Sequence, residues 1–358
     1  MEEAREYKCP ACGAGLVYGA NSGDMLCEYC DSHFTLEQLD EINAAEENVS
    51  ASDEMNWEEH EDSEVTGEFS AVICPSCGAE IVADETTAAT ECVYCGNPTL
   101  IRKKLSGIYK PDWVIPFKVT KKQAVDALAK FYKGKKLLPD AFTENNRVEK
   151  ISGVYVPYWL FDCKANGHMN YNATRVSVFS DAKFNYTRTD KYLVTRSGNA
   201  EFKNIPVDGS TKLDNRYTEA IEPYDYSELT EFTDMYLSGY MADRYDVESK
   251  DCCPRADERV RESIFAELEK TVQGYSSVTP KGGNVQNENG RVQYALMPVW
   301  MLNTRYKDKV YTFAMNGQTG KLIGDLPVDK GKAFKQFLAW SGIIGGAVSV
   351  LLVLARLI

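Results

Sequence analysis

The chain has 358 residues, 44% hydrophobic and 26% charged, a composition that excludes an intrinsically disordered protein and leaves room for two or three domains. The formal charge of −13 is unevenly spread: Cys9 to Ile101 contains twenty Asp or Glu and no Lys or Arg, whereas the chain from Arg102 onward is net basic. Phosphate contacts need Lys or Arg, so the first hundred residues are disfavoured as a nucleic-acid interface.

The first element spans about Tyr7 to Phe34. Cys9-Pro10-Ala11-Cys12 is answered, after fourteen residues, by Cys27-Glu28-Tyr29-Cys30. The same arrangement returns as Cys74-Pro75-Ser76-Cys77 and Cys92-Val93-Tyr94-Cys95, again fourteen residues apart, with Gly-Ala following the first pair in both copies. Each Cys-x-x-Cys turns both sulfurs toward one point, and two such knuckles on facing hairpins complete a tetrahedral shell with Zn–S near ~2.3 Å. Gly13, Gly78 and Gly96 suit the backbone after a knuckle, where φ turns positive. With all four positions filled by cysteine, no coordination site stays open for water, which points to two structural zinc ions rather than a catalytic one. Two disulfides per unit or free thiols are the alternatives. The N-terminus carries no signal peptide toward an oxidising compartment, and zinc is the expectation.

Residues 35–70 read as an acidic flexible linker, a solvated spacer with one or two helical turns over Thr35–Ile42; the alternative is an acidic bait with Trp57 as a hydrophobic anchor. The second ribbon occupies 71–101. From Arg102 to Lys150 the chain is markedly basic. Asp112–Phe117 reads as a strand, and Thr120–Tyr132 as a helix capped by Thr120 and Gln123, with Val125, Leu128, Ala129 and Tyr132 on its apolar face.

The body shows a second duplication. Val156-Pro157-Tyr158-Trp159 resembles Met297-Pro298-Val299-Trp300, a helix precedes each (Thr120–Tyr132 and Ala256–Val272), and Ile205–Asp208 matches Leu326–Asp329. Hairpins are expected over 173–194 and over 305–315 with its turn at Lys307–Lys309, followed by a turn at Asn316–Gly320. These patterns predict two α+β modules with antiparallel strands, 102–210 and 256–332, joined by a Tyr-rich connector, 211–255. Trp159 and Trp300 read as matched core anchors and the connector tyrosines as packing residues. Cys163, Cys252 and Cys253 read as ordinary, partly buried thiols.

Phe337 to Leu354 carries no charge, and 333–358 reads as one C-terminal transmembrane helix, with Lys330, Lys332 and Lys335 placing the bulk of the chain in the cytoplasm. Gly342 and Gly346 form a Gly-x-x-x-Gly pair that would let two such helices associate as a homo-oligomer. The expected fold class is therefore multidomain α+β: two small β zinc ribbons, a duplicated α+β body and a transmembrane anchor.

The Cys-Pro-x-Cys-Gly ribbons, Val156–Trp159, Phe313–Gly320 and the hydrophobic tail together resemble bacterial double-zinc-ribbon membrane proteins of the YdjG-like kind. That resemblance implies a single-pass protein of the cell membrane associated with phage-shock and flotillin-like proteins. Members often carry primosomal or helicase-like labels. This chain lacks the Gly-x-x-x-x-Gly-Lys-Ser/Thr phosphate loop such a label requires. No catalytic constellation emerges around His33, His60 or His168, and no enzyme is expected. The resulting expectation is a membrane-anchored, zinc-stabilised adaptor that recruits protein partners. The alternatives are a nucleic-acid-binding protein using the basic 102–150 region and an enzyme with an unrecognised site in the body.

Overall fold

A computed structural model describes residues 7–19, 23–50, 53–60, 69–83, 92–97, 101–105, 110–140, 142, 150–307 and 309–357, without the side chains at 44–50, 69–70, 83, 102–105 and 349–357. The acidic run after His60, the side chains of Arg102–Lys104 and residues 143–149 of the basic segment lie outside this set.

The chain forms two compact units, each assembled from three separated segments. Unit 1 comprises Met1–Glu59, Phe161–Ile205 and Cys253–Val292; unit 2 comprises His60–Leu160, Pro206–Cys252 and Gln293–Ile358.

Unit 1 opens with the first ribbon, a three-stranded sheet of β1 (Val17–Tyr18), β2 (Met25–Leu26) and β3 (His33–Phe34). Helix α1 (Leu36–Ser50) follows, started by a capping box in which Thr35 Oγ1 accepts from Gln38 N and Gln38 Oε1 from Thr35 N. Residues 53–60 fall within the expected linker. Among them, those in unit 1 run beside the third segment: Glu54 N donates to Val285 O, Glu58 N to Gly290 O, and the Trp57 indole to Asp257 at 2.7 Å. Two long strands, β8 (Ser152–Ser180) and β9 (Asn185–Asp208), pair as a hairpin closed by Asp181, whose carboxylate accepts from Lys183 N and Phe184 N. A helix over Ser249–Lys270 packs Leu268 against Met169, Tyr171 and Val194. Gly167 is required there, since a Cβ would lie 2.8 Å from Ile264.

In unit 2 the strand order is β10-β7-β12-β8-β11-β5-β4-β6, where β4 is Phe69–Ile73, β5 Glu80–Ala83, β6 Ile101–Leu105, β7 Trp113–Val114, β10 Thr230–Glu231, β11 Met241–Asp243 and β12 Ser277–Tyr306. Strand β13 (Lys309–Asn316) returns antiparallel along β12 through a turn with Lys307 at φ +48°, and β14 (Leu322–Gly324) follows it. Helix α2 (Lys121–Tyr132) has the expected Thr120–Gln123 capping box and buries Ala124 and Leu128 in a cluster with Phe142, Trp300 and Phe313.

Two halves of this unit repeat. Short β7 runs parallel to the second half of β12 (Trp113 opposite Ala295), as short β11 runs parallel to β8 (Met241 opposite Val154). The Trp300 indole donates to Val119 O, just before α2, and the Trp159 indole to Val247 O, just before Ser249–Lys270. Gly317 N donates to Pro298 O and Gly209 N to Pro157 O. The structural counterpart of Asp208-Gly209-Ser210 is therefore Asn316-Gly317-Gln318, not the Leu326–Asp329 segment matched in sequence. The halves are also reciprocal: each short strand and helix start engages the long strand of the other half.

The expected α+β class with a transmembrane segment is overturned. The molecule is mostly β, because the alternating runs read as several short strands are continuous strands of 29, 24 and 30 residues. The tail is helical over Lys330–Leu357, but among the described residues no helix is long and apolar enough to cross a membrane. Lys330, Lys332, Lys335 and Gln336 head this helix, and Ser341, Gly342, Gly345 and Gly346 dilute the apolar run. The single-pass anchor, the bilayer contact and the cell-membrane placement built on that run are withdrawn.

Candidate metal centres

All eight ribbon cysteines fall where the spacing placed them, in two groups of four: Cys9, Cys12, Cys27 and Cys30, and Cys74, Cys77, Cys92 and Cys95. In the first, Cys9 Sγ lies 3.6 Å from Cys30 Sγ and Cys12 Sγ 3.4 Å from Cys27 Sγ. In the second, Cys74 and Cys95, and Cys77 and Cys92, each stand 3.6 Å apart. A disulfide would bring such a pair to ~2.05 Å. Four sulfurs ~2.3 Å from one ion stand roughly 3.8 Å apart along tetrahedral edges, so the separations fit a shared metal ion and exclude bridged pairs.

The backbone builds the four knuckles alike. Gly13 N donates to Cys9 O, Asp31 N to Cys27 O, Gly78 N to Cys74 O and Gly96 N to Cys92 O, all at 2.8–2.9 Å. The donor residue is left-handed each time: Gly13 at φ +78°, Gly78 at +72°, Gly96 at +69° and Asp31 at +55°. Three of these are the glycines read from sequence; the fourth knuckle uses an aspartate, one of the residues that tolerate this conformation.

One sulfur in each centre is eased toward ionisation, Cys30 and Cys74, while Cys9, Cys12, Cys77 and Cys92 are pushed upward. The Ser32 hydroxyl lies 3.1 Å from Cys30 Sγ and is the main reason the Cys30 pKa falls to about 6. Burial opposes ionisation of Cys74, but the N–H groups of Cys77 and Ser76 outweigh it and bring that thiol to about 7. Thiolates are the form that binds metal, so donors aimed at sulfur favour a cation at the centre.

The two centres differ in their surroundings. In the first, Cys12 and Cys30 are exposed. The second is set into the core of unit 2, where Val93, Tyr94, Ala79 and Ile81 pack with Tyr158, Leu160 and Met297. Asn303 Nδ2 donates to the carbonyls of Val93 and Tyr94, and the Tyr94 hydroxyl donates to Asp243 Oδ2 at 2.7 Å. The Ser210 hydroxyl donates to the same oxygen at 2.7 Å. Burial raises the Asp243 pKa to about 7, and burial, helped by Asp243 and Asp246, raises that of Asp208 to about 8. This carboxyl cluster under the second ribbon had no signal in the sequence; its members come from separated segments and form no motif.

The remaining candidates are packing residues. Trp159 and Trp300 are buried, Tyr240 stacks on Phe117 with centroids 4.1 Å apart, and Tyr245 packs against Trp159. Cys163 is buried, which pushes its thiol up to about 11. His60 meets Asp112 at 2.9 Å and His168 meets Ser197 at 2.8 Å, in different units.

No family model and no solved structure matches the chain. Among curated proteins, the "Uncharacterized protein YdjG" of Bacillus subtilis (strain 168) is 33% identical over 343 residues, covering 95% of this chain and 94% of that protein. At that identity over nearly the full length of both proteins, the chain belongs to the family of the Bacillus subtilis protein YdjG.

Proposed function

We propose that this protein is a zinc-stabilised adaptor whose ribbons hold protein-binding surfaces in shape. The observation that supports this most directly is the pair of all-sulfur clusters, each closing its four positions with cysteine. A closed shell offers no site to a substrate, so its contribution is to hold the chain in place. The ribbon half has no Lys or Arg, which suits a polypeptide partner better than a polyanion. Purified protein should contain two zinc ions per chain by elemental analysis. Crosslinking in native cells should join the first ribbon to a partner protein, and a Cys9→Ser/Cys12→Ser variant should lose that adduct. Equal crosslinking by both proteins would overturn the reading.

A second reading rests on Lys121, Lys122, Lys130, Lys133, Lys135 and Lys136, which are exposed along α2 and just beyond it. If this surface binds nucleic acid, duplex binding should weaken steeply with salt and disappear on charge reversal at Lys133, Lys135 and Lys136.

A further inference from the structure

The duplication of the ribbons makes them an internal comparison. Positions correspond with a constant offset of 65, from Cys9 and Cys74 to Cys30 and Cys95. The backbone agrees at this offset: Cys9 N donates to Ala14 O as Cys74 N does to Ala79 O, and Cys27 N to Ser32 O as Cys92 N does to Asn97 O. The second ribbon thus shows how this kind of surface is received. Its Ala79, Ile81, Val93 and Tyr94 form a face that is buried in the core of unit 2. Tyr94 retains 9% exposure and ends on a carboxylate acceptor, Asp243.

The same face on the first ribbon is open. Tyr29, the counterpart of Tyr94, is 83% exposed. Tyr18, two residues on from Leu16 and on the same side of the strand, is 57% exposed. Leu16 and Ala14, matching the fully buried Ile81 and Ala79, are partly uncovered. One substitution within the face is informative: Val93 is matched by Glu28, which with Asp24 and Asp31 makes the segment from Cys9 to Phe34 acidic and free of Lys or Arg, the nearby cations being Lys8, bridged to Gly15, and Lys191, whose Nζ donates to Ala11 O at 3.4 Å.

We propose that the first ribbon docks this face onto a partner protein that receives Tyr29 in an apolar socket with a hydrogen-bond acceptor at its floor and Lys or Arg at its rim. The socket and acceptor follow from how Tyr94 is held; the basic rim follows by charge complementarity from Asp24, Glu28 and Asp31. An exposed tyrosine flanked by apolar neighbours is the kind of anchor that dominates interface energetics. The corresponding socket in this chain is already filled by Tyr94, which argues for a different protein rather than a second copy. The proposal rests on the adaptor reading and specifies the surface and the chemistry of the partner.

The test uses the full-length chain in native cells with the photoreactive residue p-benzoylphenylalanine at position 18, zinc content serving as the control for folding. The expected result is an adduct with one discrete protein, whose crosslinked peptide is apolar and bordered by Lys or Arg. Tyr29→Ala should lower its yield at least about tenfold. Tyr29→Phe, which removes only the hydroxyl, should lower it roughly two- to tenfold, and Glu28→Lys should lower it as well. An adduct with another copy of this chain, or a yield indifferent to Tyr29→Ala, would overturn the proposed face. If the yield ignores Tyr29 but still requires Cys9 and Cys12, the adaptor reading survives; if the first ribbon gives no protein adduct from any position, both fail.

Discussion

At the residue scale, Asp208 and Asn316 occupy matching turns and solve the same problem differently. Asn316 Oδ1 accepts from Gln318 N at 2.9 Å while its Nδ2 donates to Ile221 O at 3.0 Å. Asp208 Oδ1 accepts from Ser210 N at 3.0 Å, but its Oδ2 is buried without a hydrogen bond. A carboxylic acid with its proton on that oxygen is the closest analogue of the asparagine amide, which accords with a pKa of about 8. Both Asp208 and Asp243 have folded-state values above the ordinary carboxylate value. Their stabilising contribution is therefore full below the unfolded pKa near 4 and is lost as pH rises through about 7 for Asp243 and about 8 for Asp208. Stability of the zinc-loaded protein to urea should fall between about pH 6 and pH 8, by up to about 1.4 kcal/mol per pH unit for each extra proton held by the folded state. Asp208→Asn should flatten that slope and raise stability at the alkaline end, and a slope unchanged in the variant would remove Asp208 from the account. A separate expectation concerns Gly96, which sits at φ +69° with open space where a Cβ would go. Gly96→Ala should cost about 1 kcal/mol through backbone strain alone, read as a lower urea midpoint.

At the element scale, the two ribbons share a backbone and differ in what surrounds it, so they should lose metal differently. Cys12 and Cys30 are exposed, whereas Cys77 and Cys95 pack against the core through a knuckle locked by Asn303 and Asp243. A zinc-responsive dye with excess chelator should release one equivalent quickly with little change in near-UV circular dichroism. The second should leave slowly, together with the unfolding of unit 2. Simultaneous release would show that this difference in burial does not govern exchange. The knuckles were legible in the sequence because their geometry is local: four cysteines, a fixed gap and glycines at three positive-φ positions. The capping box of Thr120 was legible for the same reason, and so were the first turns of α1, although α1 extends well past them. The exposure that separates the two centres was not legible, because it depends on residues such as Asn303 and Asp243, which lie more than a hundred positions away.

At the scale of the whole molecule, the body duplication was visible in Pro157-Tyr158-Trp159 and Pro298-Val299-Trp300, but its consequence was not. Sequence order suggests that each module closes on itself. Instead β7 joins β12 and β11 joins β8, and each indole reaches the helix start of the other half. Parallel pairings of this kind connect segments far apart in the chain and leave no short-range pattern. Each compact unit likewise draws on segments that a cut at any one sequential boundary would separate. Fragments 102–210 and 256–332 should therefore not fold alone, giving collapsed amide dispersion in NMR spectra, because the first lacks β11 and β12 and the second lacks β7 and β8. A different division should succeed. The turn at Asp181–Phe184 is exposed and belongs to a hairpin whose strands are held along their length, so interrupting the chain between Ala182 and Lys183 removes one peptide bond and leaves the pairings available. Co-expressed 1–182 and 183–358 should copurify as a complex with two zinc ions and the spectrum of the intact chain. Independent folding of 102–210 would mean that the reciprocal pairing is dispensable, and the parallel contacts of β7 and β11 would then be additions to two self-sufficient modules.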